Sequence, residues 1–407
     1  MKSNNIRVLI TGAAVIAIGV CADTAVSVNK NPSQNNPVSI AVEKGLKWLV
    51  AVQGKDGGWG QDGGETSYVR QGEHLESNGN DVANTAVAAE ALLHVGTMPT
   101  HGEYHESLQR AIRFILEHVE RSPAEGLAVT NLNGTQIQRK LGPYIDTFLT
   151  SKLLAELDGN MGDAQANARV RQSLEKCVAK VEKSQLKDGS WNLAGVWAPI
   201  LGTSMASQSL YVAKGKGVSV PQVAMDRIET YTAKTFAPPV VGGAGAGAGP
   251  RSVSAGTDKI VSAGAAMAAA MPMTTEVSAA SAGISLYKRA QELEQLSRTP
   301  EDRKKNGKQI GDITAQLADP RFVTGFGSIG GEEFFSYLNI SDSLHRAGGP
   351  EWERWNSDMK AKILKMQNED GTWAGHHCIT GRVAVTSAAI LMLVADHENL
   401  LTSSSKR

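Results

Sequence analysis

The chain has 407 residues, enough for one large domain or two ordinary ones and for a sizeable core. Lys plus Arg and Asp plus Glu each number 41, so the formal net charge is zero and no global field draws the chain to nucleic acid or to an anionic membrane. Aromatic residues make up 5% of the chain, fewer than a β-sandwich or barrel of this length usually carries, and the fold class predicted is all-α.

In chain order, residues 1–22 read as a signal peptide. Lys2 and Arg7 give a positive start, Val8 to Val20 form an apolar run, and Val20-Cys21-Ala22 ends it with a small-residue cleavage pattern. The run falls short of the roughly 20 apolar residues of a spanning helix. An exported protein, periplasmic or secreted, is therefore expected. The lesser alternative is an uncleaved membrane anchor or a lipid-modified Cys21. Residues 23–37 are polar, hold two prolines, and read as a flexible lead-in. Helical sequence then fills 38–235. Residues 236–283 are a Gly/Ala/Ser/Pro tract that buries little, expected as a disordered insertion. Helical sequence resumes over 284–400, starting with an amphipathic stretch from Ile284 to Leu296, and 401–407 is a tail.

The helical parts carry an internal repeat, Gln-x-x-Asp-Gly-x-Trp. It occurs as Gln53, Asp56, Gly57, Trp59, as Gln185, Asp188, Gly189, Trp191, and as Gln367, Asp370, Gly371, Trp373. Each copy follows an apolar stripe at helical spacing, such as Val42, Leu46, Leu49 before the first and Trp355, Met359, Ile363 before the third. Asp-Gly then stops the helix, because Gly tolerates the left-handed backbone of a tight turn. A second, nearly apolar helix follows each copy, around Asn84–Leu93, Gly202–Leu210 and Val385–Val394. Thr85, Thr203 and Thr386 are the expected caps. Further helices are expected at Leu108–Arg121 and Ile145–Leu157.

These repeats resemble the Gln-Trp motifs of the prenyltransferase/squalene oxidase repeat family, the superfamily of squalene-hopene cyclases and protein prenyltransferases. The resemblance implies an α/α toroid, a closed ring of inner and outer helices in which the motif's Gln and Trp tie neighbouring helices together. It divides the toroid into 38–235 and 284–400. It also implies where chemistry would lie. Class II cyclases protonate an alkene through Asp-x-Asp-Asp-Thr-Ala. The best local match starts at Asp81, but Ala83 and Asn84 stand where the second and third Asp would be, so the proton donor is missing. Protein prenyltransferases hold zinc with Asp, Cys and His, and the nearest feature is His376-His377-Cys378. The Gly-Cys-Gly-Glu-Gln context of thioester domains is absent around Cys378.

Other candidates are acidic. Glu332 and Glu333 follow a glycine-rich run and suit the first turn of a helix, and with Asp342 they are candidates to face the ring interior as acids or ligands. Glu333 and Tyr337 are four apart and share a face. Cys177 and Cys378 are a possible disulfide, or two separate buried thiols. Three functions are weighed. The first is a binding or scaffold protein that receives an unidentified ligand or protein at the ring mouth. The second is an enzyme on an isoprenoid or lipid substrate, with zinc as its possible cofactor. The third is a carbohydrate-active enzyme, which needs a pair of carboxylates in a groove.

Overall fold

The computed structural model describes residues 36–62, 79–191, 199–236, 275–324, 330–376 and 379–396. The signal peptide, almost all of the lead-in, most of the 236–283 tract, the 401–407 tail, His377 and Cys378 lie outside them. The described residues are predominantly helical and form fifteen helices without a strand. None of these helices is long and apolar enough to cross a membrane.

The helices are α1 (Pro37–Ala51), α2 (Val82–His94), α3 (His105–Arg121), α4 (Gln136–Leu141), α5 (Ile145–Leu157), α6 (Ala164–Lys183), α7 (Pro199–Gly215) and α8 (Gln222–Thr235). After the Gly/Ala-rich tract come α9 (Thr275–Leu296), α10 (Pro300–Lys305), α11 (Gly307–Leu317), α12 (Pro320–Val323), α13 (Gly331–Ala347), α14 (Pro350–Lys365) and α15 (Arg382–Leu393). Helix α9 begins nine residues before the expected Ile284, so the last part of the 236–283 tract is helical.

Two kinds of helix alternate. Helices α3, α6 and α14 have one apolar stripe and a charged face, so each buries one side. Helices α2, α5, α13 and α15 are buried along nearly their whole length. The more buried kind makes a circuit of contacts: α2 touches α5, α5 touches α7, α7 touches α9, α9 touches α13, α13 touches α15, and α15 returns to α2. Small residues line these contacts. Ala83, Ala86, Ala88, Ala89 and Ala91 of α2 are all fully buried, which lets neighbouring backbones approach closely. Like ends of these helices meet. The start of α2 bonds the start of α5, from Ala83 N–H to Asp146 Oδ1 at 3.1 Å, and the ends meet through His94 and Glu156 at 3.0 Å.

The three repeats build the same turn three times. The indole N–H of Trp59, Trp191 and Trp373 donates to the carbonyl ten residues earlier, on Leu49, Val181 and Ile363, at 2.8, 2.7 and 2.7 Å. The Asp side chain accepts the N–H two residues on. Gly57, Gly189 and Gly371 have φ of 93°, 93° and 89°, the left-handed region that Gly enters without strain. Each Gln amide donates twice, once back into its own turn and once to a carbonyl of another helix. Those outside acceptors are Ser107 in α3, Ala224 in α8 and Ala41 in α1. The third copy thus ties the C-terminal part to the first helix across 326 residues of chain. Around this seam, Arg382 bonds Asp62 at 3.2 Å and lies over the Trp48 ring at 5.0 Å.

The expected threonine caps are a correction. Helix α2 is capped by Asp81, and Gly381 precedes α15. Thr85, Thr203 and Thr386 lie inside their helices and accept the backbone N–H of the motif Trp at 2.9, 3.1 and 2.9 Å. A hydroxyl one turn into the helix reaches the incoming turn, whereas a cap position reaches only its own helix.

Candidate functional site

The acidic candidates at the helix starts all bond backbone. Asp81 is buried; its carboxylate accepts the Asn84 N–H and side-chain amide, both at 2.8 Å. Burial, and then the charge of nearby Asp146, push it up to about 7. Asp146 opens α5. It accepts from Ala83 N–H and from Gln138 Nε2 at 2.7 Å, and burial pushes it up to about 6. Glu332 accepts the Ile379 N–H at 3.1 Å, and Glu333 reaches back to accept the N–H of Gly330, the residue before the helix, at 2.9 Å. Tyr337 donates its hydroxyl to the Val323 carbonyl, and burial plus the Glu333 charge hold that hydroxyl far above its usual range. Asp342 does not join the two glutamates. It lies ten residues along α13 from Glu332, or about 15 Å at the helical rise.

At the opposite end, where the circuit helices finish, titratable side chains from three helices converge. Lys152 of α5 donates to Glu90 of α2 at 3.3 Å, and His94 of α2 pairs with Glu156 of α5 at 3.0 Å. Asp342 of α13 adds its charge to Lys152. Burial works against the charges of Glu90, His94, Lys152 and Glu156. It raises Glu90 above the usual carboxylate range despite Lys152. His94 is held above its ordinary value by Glu156, and Glu156 below its own by His94, in both cases against burial. Lys152 stays charged, because Glu90, Glu156 and Asp342 outweigh its desolvation. Glu90 is 2% exposed, and its Oε1 accepts no hydrogen bond. A buried carboxylate oxygen without a donor is costly and is normally satisfied by a ligand or water.

His94, Lys152, Asp342 and His345 wall a cavity of about 50 Å³, closed by Leu338, Leu391, Val394 and Ala395. Val394 also borders a second hollow of about 450 Å³ between α1 and the loop joining α2 to α3. That groove is apolar along Val38, Val42, Leu46, Val95 and Tyr104, with Glu43 and Glu103 beside them. Trp352 packs beside His345 with ring centres 4.9 Å apart, and the Trp355 indole donates to Ser341 at 2.9 Å, so both tryptophans are packing residues.

Of the metal candidates, His376 is exposed, and His377 and Cys378 fall outside the described residues. No group of three His, Cys, Asp or Glu suited to a metal ion occurs among the described residues. Cys177 is a free, buried thiol, pushed up to about 12 by burial. Asp342 is the single sequence candidate at the convergent end. Glu90, His94, Lys152 and Glu156 were missed, although two signals were present: charged residues four apart within the apolar sequences Asn84–His94 and Ile145–Leu157. No family model, curated protein or solved structure matches this chain.

Proposed function

We propose that the closed circuit of buried helices is the inner layer of an α/α toroid and that this chain is a binding or scaffold protein. Its ligand enters at the mouth where the inner helices end. One observation carries the reading: at the helix ends, His94, Lys152, Asp342 and His345 wall a cavity, and Glu90, bonded to Lys152, is buried there with one carboxylate oxygen that accepts no hydrogen bond. The Gln-x-x-Asp-Gly-x-Trp resemblance supports the toroid, and the same motif residues have structural roles in it. Fold alone does not select a chemistry. Export through residues 1–22 belongs to the same reading.

The competing reading is an enzyme on an isoprenoid or lipid. It is tested by incubating the purified protein with squalene, and separately with farnesyl diphosphate plus a cysteine peptide, and analysing products by mass spectrometry. No product is expected from the wild type. Product formation that is lost in Glu332→Gln or Glu333→Gln would overturn the binding reading.

A further inference from the structure

A short helix crosses the starts of the buried helices. Helix α4 packs against α2, α5 and α7. Its Gln138 amide donates to Asp146 at the start of α5 at 2.7 Å, and the same carboxylate accepts the Ala83 N–H at the start of α2. A Cβ placed on Gly202, near the start of α7, would lie 3.3 Å from the Leu141 carbonyl oxygen. Gln136, at the other end of α4, reaches the turn that leads into α15. Its side-chain carbonyl accepts the Thr380 and Gly381 N–H at 2.9 and 3.1 Å, and its amide donates to the Thr380 hydroxyl at 2.9 Å. Both ends of α4 carry a hinge. Gly134 and Gly142 flank it with φ of 80° and 123°, and a Cβ at either would meet nothing within 4 Å. The preceding loop is anchored further back, where Lys180 donates to the Gly126 and Ala128 carbonyls and Thr147 donates to the Leu127 carbonyl. Helix α4 can therefore swing out without displacing that anchor, at the cost of the Gln136 and Gln138 bonds and the burial of Ile137 and Leu141.

We propose that α4 is a hinged strap over the helix-start end of the circuit, latched by Gln136 to Thr380 and Gly381 and by Gln138 to Asp146, and that ionisation of Asp146 loosens it. The groups around Asp146 give the direction. Asp81, beside the start of α2, is a second buried acid whose ionisation the Asp146 charge disfavours. His118 of α3 favours the charged form of Asp146. Lys180 of α6 is committed to the two loop carbonyls, α7 has no ionisable side chain before Tyr211, and the cations of α4 itself, Arg139 and Lys140, are exposed and half-buried. Burial outweighs the hydrogen bonds of Asp146 and the charge of His118, and its carboxyl is held at about 6. The closed strap thus favours the acid form, whereas lifting α4 lets water reach the carboxylate and returns it toward the ordinary value of about 4. Two units correspond to about a hundredfold, so the closed state should lose up to that factor against the open one as pH rises from about 4 to about 6.

The strap lies at the end of the circuit opposite the cavity walled by His94 and Lys152, so its behaviour is independent of what that cavity binds. Hydrogen exchange of the full chain, followed by mass spectrometry from about pH 4 to about pH 7 and corrected for intrinsic rates, reads the opening. Three results are expected for the wild type. Peptides covering α4 should be less protected than those of α5 at every pH. Their protection should fall about ten- to a hundredfold across the range. It should also be insensitive to low urea, because swinging out one short helix exposes little surface, while α5 exchanges through a urea-sensitive, more global opening. Asp146→Asn should flatten the fall with pH, whatever its effect on the level. Gln136→Ala should lower α4 protection at every pH and keep the slope; Gln136 is half-buried and caps no helix, so this variant tests the latch even where Asp146→Asn does not fold. Protection of α4 that equals that of α5 with the same urea dependence would overturn the strap. So would an unchanged α4 level in Gln136→Ala. A wild-type level independent of pH, or the wild-type slope retained in Asp146→Asn, would overturn the role of Asp146.

Discussion

Replacing Trp373 tests the seam that joins the two ends of the chain. The indole is fully buried, its N–H donates to Ile363 at 2.7 Å, and its backbone N–H is held by Thr386. It also abuts α1: a Cβ placed on Gly45 would come within 3.1 Å of the ring. Trp373→Ala removes the packing and the hydrogen bond together and should cost about 3–5 kcal/mol. Trp373→Phe keeps most of the packing and should cost about 1–2 kcal/mol, since the Ile363 carbonyl still accepts the Met366 N–H. Urea unfolding followed by near-ultraviolet circular dichroism gives the stability change, and hydrogen exchange gives its location. Because Gln367, in the same turn, bonds Ala41, lost protection in Trp373→Ala should reach Pro37–Ala51 at the other end of the sequence. A stability change below about 0.5 kcal/mol, the range of ordinary surface substitutions, or a loss of protection confined to α14 and α15, would refute the claim that this turn ties the C-terminal part to α1.

Gly189→Ala should destabilise more than Gly134→Ala. Both have positive φ, but a Cβ on Gly189 would sit 2.2 Å from the Arg227 carbonyl oxygen, while nothing lies within 4 Å at Gly134; comparable thermal midpoints for the two variants would contradict this. Breaking the buried Glu294–Arg298 pair with Arg298→Met should cost about 3–5 kcal/mol, because it strands Glu294. Arg298 holds Glu294 below the usual carboxylate range against burial, so the wild-type contribution is present above the unfolded value and lost as pH falls through the folded one. Asp81 and Asp146 act with the opposite sign. They are pushed up to about 7 and about 6, so the folded chain keeps protons that the unfolded chain has lost. Their contribution should make stability decline as pH rises from about 4 to about 7, and Asp146→Asn should flatten that slope in urea titrations run across the range. Elemental analysis of the purified protein and of a His376/His377/Cys378 triple-alanine variant should give the same sub-stoichiometric zinc; one zinc per chain, lost in the variant, would place a metal site there and favour the enzyme reading.

What the sequence determined was local. In each Gln-x-x-Asp-Gly-x-Trp turn, the Asp bond spans two residues, one Gln bond spans four and the Trp bond spans ten, so the whole motif is written in one short window. Helical periodicity likewise located α3 and α5, because one buried stripe or one long apolar run marks a helix without reference to its neighbours. The threonines misled because a hydroxyl near a helix start has two possible acceptor roles, and only the incoming Trp N–H decides between them. For the helix-start acids, spacing shows that Glu332 and Glu333 open a helix but not which backbone groups they meet. Tertiary structure alone decided the circuit of contacts and the convergence of charged side chains at the helix ends. His94 meets Glu156 across 62 residues, Lys152 meets Asp342 across 190, and the outer bond of Gln367 spans 326. Charges this far apart in the chain carry no common period. They become one site only when the packing of small residues along the buried helices brings the helix ends together.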